Sequence, residues 1–266
     1  MIIEEQYIQT TDGDIFVKTW TPKIVLSSIS IVLLHDSLGS SHQWRNFPEI
    51  LANTLSIKVI SYDRAGFGHS YTRHNLPPIN FIEQEAEVYF PRVKATLELG
   101  QFIILGHSVG GSMAINIAAI DKNCIGAVTI SAQAYIEDRT LEGIQNAKQI
   151  FQRPEMLTKI ANWHGEKANW VINAWTEVWL SDEFCNWELY QVKNVACPLL
   201  VIHGANDEYG SIAFPNYIAQ NSAASAHVEI IENCGHLPHV THTEVVLKSI
   251  SRFFKFNIHS ISNDLA

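Results

Sequence analysis

Six short stretches of the chain are apolar at nearly every position: Ser30–Leu34, Lys58–Ser61, Phe102–Leu105, Ile125–Ile130, Leu199–Ile202 and His227–Ile231. Runs of this length without polar alternation predict strands buried on both faces, as in a parallel sheet covered by helices. Helical patterns fall between them, over residues 43–54, 80–98, 109–120, 212–221 and 243–256. Strands alternating with helices predict an α/β layer fold. Ahead of the first run, residues 3–9 and 14–20 flank Asp12-Gly13, a turn pair, and predict a hairpin.

One connection breaks this rhythm. More than 60 residues separate the run ending at Ile130 from the run starting at Leu199, where a few would suffice. Five of the seven tryptophans lie there: Trp163, Trp170, Trp175, Trp179 and Trp187. Trp175 and Trp179 are one helical turn apart. The segment reads as an inserted helical cap over residues 134–194, with the core formed by residues 1–133 and 195–266. Each ring either belongs to the cap's own core or forms an apolar wall over a site. Trp163, Trp175 and Trp179 are the candidate substrate contacts.

Composition narrows the classes. Hydrophobic residues make up 47% of the 266 and charged residues 17%, which suits an ordinary buried core rather than a disordered chain. The formal net charge is -9, without a dense run of Lys and Arg, so no nucleic-acid partner is expected. The first residues, MIIEEQYIQTTDGD, carry acids where a signal peptide carries bases. The apolar runs are too short to span a bilayer. A cytoplasmic protein without a membrane partner is therefore expected. Cys124, Cys185, Cys197 and Cys234 have no metal-like spacing and are expected to be free, buried thiols. No metal site is expected.

The chemistry centres on Gly106-His107-Ser108-Val109-Gly110, a G-x-S-x-G pattern with a strand leading in and a helix leading out. Small residues at both ends permit a tight turn that exposes the hydroxyl at the carboxyl edge of the sheet. Val109 N–H then lies in the first helical turn, where free donors can stabilise an oxyanion. A serine hydroxyl needs a base, and the base needs an orienting acid. His236, in Cys234-Gly235-His236-Leu237-Pro238, follows the last apolar run in a loop, where a parallel sheet gathers functional groups. His239 and His242 are neighbouring competitors, expected instead to be solvated or to cap the final helix. His107 is expected to point away from the pocket. Asp207, after the run ending at Ile202 and the turn Gly204-Ala205, is the acid, with Glu208 its rival.

On these residues the chain resembles the α/β-hydrolase superfamily over nearly its whole length, since Ser108, Asp207 and His236 follow the family's nucleophile–acid–histidine order. The resemblance implies a mostly parallel eight-stranded central sheet flanked by helices, with an inserted cap. It is closest in kind to the cap-bearing members that include esterases, lactonases and carbon–carbon bond hydrolases. His35-Asp36-Ser37-Leu38-Gly39 resembles the family's His-Gly loop, which implies Ser37 N–H as the second oxyanion donor. Asp36 stands where that family carries glycine. It tolerates a left-handed backbone better than most residues, and its carboxylate either caps the loop or faces the site and makes it more negative. Asp63-Arg64-Ala65-Gly66-Phe67-Gly68-His69-Ser70 resembles an architectural turn of the family, with Asp63 and Arg64 binding backbone or each other.

The expected activity is acyl transfer from a small ester-like substrate to water, without metal or organic cofactor. A tryptophan-lined cap favours a carboxylesterase over a lactonase or carbon–carbon hydrolase on the same three residues. A slow-turnover ligand-binding receptor is the rival from another class. Arg45, Arg64, Arg139 and Arg153 are the arginines that could grip a carboxylate, and surface or structural roles are expected for each. A homodimer is compatible with the sequence.

Overall fold

The computed structural model describes residues 1–264; residues 265 and 266 of the expected core segment lie outside it. Eight strands form one sheet: β1 (Ile2–Thr10), β2 (Gly13–Thr21), β3 (Ser30–Leu34), β4 (Lys58–Tyr62), β5 (Phe102–His107), β6 (Cys124–Ile130), β7 (Leu199–Gly204) and β8 (Ala226–Ile231). Their order across the sheet is β1-β2-β4-β3-β5-β6-β7-β8. β1 and β2 are the expected hairpin, and β2 pairs antiparallel with β4. The other pairs are parallel. Among the described residues no helix is long and apolar enough to cross a membrane.

The central strands are apolar throughout because both faces of the sheet are covered. Val32, Leu34, Phe102 and Ile104 enter one core, while Ile31, Leu33, Ile103 and Leu105 enter the other. Successive side chains of a strand point to opposite faces, so a run without alternation serves two cores at once.

The helices are α1 (Phe47–Leu55), α2 (Phe81–Gln84), α3 (Phe90–Thr96), α4 (Val109–Ile120), α5 (Asp138–Phe151), α6 (Pro154–His164), α7 (Ala168–Trp179), α8 (Ala213–Asn221), α9 (Pro238–Thr241) and α10 (Thr243–Asp264). The expected helix over 80–98 is interrupted between α2 and α3 by a π-helical turn at Glu85–Tyr89. There Glu85 is buried and accepts a 2.5 Å hydrogen bond from the Tyr62 hydroxyl. Helices α5, α6 and α7 lie in the long connection between β6 and β7. Two side chains of that connection pin it to the turn after β4. His164 accepts a hydrogen bond from Gly68 N–H at 2.8 Å, and Lys167 donates to the Ser70 carbonyl at 2.5 Å. All four cysteines are free. Cys124, Cys197 and Cys234 are buried, but Cys185 is exposed, contrary to expectation, because it lies in the turn after α7.

The double-sided core makes a specific demand on stability. Ile103→Ala, at a fully buried site on β5, should cost about 2–5 kcal/mol in urea denaturation. Ile79→Ala, half exposed in a loop, should stay within about 0.5 kcal/mol.

Candidate functional site

β5 ends at His107 and α4 begins at Val109, leaving Ser108 alone to turn the chain. Its backbone sits at φ 54, ψ −127, a left-handed region that strains a residue with a side chain. The turn closes because Gly106 and Gly110 lack Cβ atoms. A Cβ on Gly106 would lie 2.0 Å from the Gly110 carbonyl oxygen, and one on Gly110 would lie 2.2 Å from that of Leu34. Ser108 N–H is held by the Ile130 carbonyl at 2.9 Å, and the Ser108 carbonyl accepts from Gly111 N–H at 2.8 Å.

Asp207 and His236 come together where the ends of β7 and β8 approach. A Cβ on Gly204 would meet the Gly235 carbonyl oxygen at 2.2 Å. That contact brings the two loops within reach. His236 Nδ1–H donates to the Asp207 carboxylate, at 2.8 and 2.9 Å from its two oxygens. Tyr209 N–H also donates to Asp207, at 2.8 Å. Burial opposes ionisation of Asp207, but the facing His236 and its hydrogen bond outweigh it, so the pKa lies below the usual aspartate value. His236 mirrors this. Burial disfavours its cation, yet Asp207, Glu208 and Asp36 raise its pKa above 6.5. Glu208, the rival acid, is exposed and accepts from His236 backbone N–H at 3.2 Å rather than from the ring.

Ser108 and His236 line one cavity of about 220 Å³, together with Asp36, Ser37, His107, Trp175, Trp179 and Tyr209. Among the described residues the Ser108 hydroxyl makes no hydrogen bond, to His236 or to any other group. The amides of Ser37 and Val109 likewise donate to no protein acceptor. Val109 also borders, with Ser37, a crevice beneath Trp175 and Trp179. Trp163 does not reach the Ser108 cavity. It lines a neighbouring one instead, because the next residue on α6, His164, is turned inward and fixed at both ring nitrogens, to Gly68 N–H and the Leu38 carbonyl.

Asp36 performs the loop-capping role. Its Oδ1 accepts from Leu38 N–H at 2.8 Å, and its backbone is not left-handed. Its other oxygen lies 3.2 Å from His107 Nδ1. Burial opposes ionisation of Asp36, but His107, His35 and Leu38 N–H outweigh it and hold the carboxyl well below the usual range. The loop is braced further by Arg64, which donates to the Asp36 carbonyl at 2.8 Å and stacks 4.3 Å above the Phe67 ring. Asp63 binds backbone, accepting from Ser41 N–H at 2.5 Å and His69 N–H at 2.7 Å.

Two histidines are placed differently from expectation. His107 does not point away; it lines the cavity, and its Nε2–H donates to the His236 carbonyl at 2.8 Å. A strand-end residue facing a neighbouring loop has this choice only once that loop is in place. His239 is neither solvated nor a cap. It is buried against Trp44, Phe47 and His107, with ring centroids 5.1, 5.7 and 4.6 Å away. Among the described residues no cluster of His, Cys, Asp and Glu has the make-up to hold a metal ion.

The profile of the alpha/beta hydrolase family matches residues 31–248. The chain is 28% identical over 219 residues to "Serine hydrolase BPHL" of Homo sapiens, covering 77% of this chain and 67% of that one. It is 26% identical over 123 residues to "Probable lysophospholipase BODYGUARD 3" of Arabidopsis thaliana, covering 46% of this chain; the chain spans about a quarter, 24%, of that protein's length. The crystal structure of the enol-lactonase from Burkholderia xenovorans LB400 superposes with a TM-score of 0.71 at 18% identity, over 94% of this chain and all of that one, a likeness of fold.

The charge around His236 can be read directly. Titration of its ring by ¹⁵N NMR should give a midpoint above 6.5, the ordinary histidine value. Asp36→Asn removes a carboxylate that favours the imidazolium, so it should lower that midpoint, and Asp207→Asn should lower it further.

Proposed function

This chain belongs to the alpha/beta hydrolase family, and from that premise we propose that it cleaves small carboxylic esters through an acyl-enzyme on Ser108. The reading rests on one arrangement. An Asp207-braced imidazole and a serine on a strained turn line the same cavity, beside two amides with no protein acceptor.

His236 takes the proton from Ser108 as its oxygen attacks the ester carbonyl. The Ser108–His236 hydrogen bond closes when substrate fills the cavity, as such contacts commonly tighten only in the complex. Asp207 fixes the Nδ1–H tautomer and stabilises the imidazolium. The Ser37 and Val109 amides receive the negative oxygen of the tetrahedral intermediate. His236 then gives its proton to the departing alcohol and activates the water that releases the acid. The insertion over residues 134–194 acts as a cap, with Trp175 and Trp179 as the apolar wall. A cavity of about 220 Å³ is below the usual span of drug-sized sites, roughly 300–1,000 Å³. Short acyl groups are accordingly the expected substrates.

A series of p-nitrophenyl esters tests the proposal. Acetate to hexanoate should turn over repeatedly, and Ser108→Ala should lose roughly 10⁴–10⁶ in kcat. Asp207→Asn should lose about 10⁴, whereas Glu208→Gln should lose less than tenfold because Glu208 hydrogen-bonds the backbone of His236 and not its ring. The base must be neutral to work, so kcat/KM should fall as pH drops through the raised His236 pKa. Turnover confined to a lactone or to a vinylogous diketone would overturn the ester reading. A single turnover followed by tight retention of ligand would replace the enzyme with a receptor.

A further inference from the structure

A second cavity of about 190 Å³ adjoins the first and shares Asp36, His107 and Leu237 with it. It opens between the 3₁₀ turn at Ser41–Trp44 and α9. The two cavities differ in chemistry. The first is walled largely by Trp175, Trp179, Ile144 and Tyr209. The second presents Gln43, Trp44, Arg45 and His239, with Ser40 beside them.

Arg45 is exposed at the edge of this cavity. Its guanidinium has no carboxylate and no hydrogen-bond acceptor among the described residues. Its backbone is held at φ 53, ψ −124, with its N–H on the His42 carbonyl at 3.1 Å. Strain at a residue with a side chain persists only where the surroundings enforce it, and such residues cluster at ligand-binding positions. Three wall residues also carry unpaired polar atoms that are closed off behind the cavity surface. Ser40 Oγ, Trp44 Nε1 and His239 Nδ1 are buried without a hydrogen-bond partner. Asp36 is the one carboxylate on this wall, and Leu38 N–H and His107 already occupy it. Arg45 is therefore the charged group on this wall without a counter-charge among the described residues.

The position of this cavity relative to His236 indicates which half of a substrate would enter it. Leu237, the residue after His236, and His239, on α9, line this cavity opposite His35, Asp36, Gly39 and Ser40 of the loop that carries Ser37. In the proposed reaction the ester C–O bond breaks, its electron pair stays on the alcohol oxygen, and the His236 imidazolium supplies that oxygen's proton. The alcohol must then lie on the His236 side. The crevice bordered by Ser37, Val109, Phe67 and Phe81 is apolar and lies on the oxyanion side.

We propose that the second cavity is the leaving-group subsite and takes an alcohol carrying an oxyanion, a carboxylate or a phosphate, that pairs with Arg45. This rests on the ester-hydrolase reading for the direction of departure, but binding of the free alcohol does not depend on turnover. Neither cavity alone reaches the usual span of a ligand site; joined, they hold a small acyl group and a compact anionic alcohol.

Calorimetry on the full chain separates the two readings. 3-Hydroxybenzoate and glycerol 3-phosphate are the probes, with 3-hydroxybenzyl alcohol and glycerol as their neutral counterparts. At least one anion should bind tenfold or more tightly than its counterpart, and which one does identifies the oxyanion. Arg45→Gln should abolish that preference, and Arg45→Lys should keep part of it. Kinetics give a second readout. The ratio of kcat/KM for 3-butyryloxybenzoate to that for its methyl ester should fall about tenfold in Arg45→Gln, chiefly through KM. Equal binding of charged and neutral probes, or a preference indifferent to Arg45→Gln, would overturn the subsite. Loss of the ester reading would show separately, as full turnover in Ser108→Ala.

Discussion

The whole site hangs on a backbone bend made in one residue. At Ser108 the chain leaves a buried strand and enters a buried helix with φ at 54. A side chain in that region costs roughly 1–3 kcal/mol. The cost is met by the burial of β5 and α4 on either side, where Leu105, Val109 and Met113 are almost wholly inaccessible. Relaxing the bend would withdraw the hydroxyl and turn the Val109 amide away together. The contacts that enforce the bend are backbone against backbone, Gly106 on Gly110 and Gly110 on Leu34. They tie the loop after β3, which carries Ser37, to the same point.

Around that bend the loops are cross-linked by polar side chains rather than by apolar packing. His107 connects the Asp36 carboxylate to the His236 carbonyl. Arg64 holds the Asp36 carbonyl, and His164 holds that of Leu38. Each bond fixes a loop to a strand end or to the helical insertion, and each lies where water is scarce. Hydrogen bonds in such surroundings gain strength from the low dielectric, and a missing partner costs more for the same reason.

The same low dielectric sorts the histidines. Burial pushes His35, His164 and His239 below the ordinary value, so these rings serve as neutral donors, acceptors or packing surfaces. His236 moves the other way because Asp207 faces it. His203, 3.6 Å from the same carboxylate, is still pushed down by burial, so the two protonation behaviours are set by the balance of desolvation against a direct hydrogen bond to a carboxylate.

Much of this was written into the chain locally. The run Ser30–Leu34 and the helix from Val109 to Ile120 have the expected limits, since periodicity and a glycine-flanked turn are properties of neighbouring residues. The pairing of Asp207 with His236 followed from each lying just past a strand end. The π-turn at Glu85–Tyr89, the exposure of Cys185 and the burial of His239 were not legible in this way. Nor was the division of the tryptophans, with Trp175 and Trp179 on one cavity and Trp163 on the other. Local sequence determined which segments are strands, where the chain bends and which side chains stand at the carboxyl edge. Only the tertiary structure decided which loops face one another, because contacts such as His107 with His236 or His164 with Leu38 join residues more than a hundred positions apart. Their geometry is set by sheet order and the docking of the insertion, which no short stretch of sequence encodes.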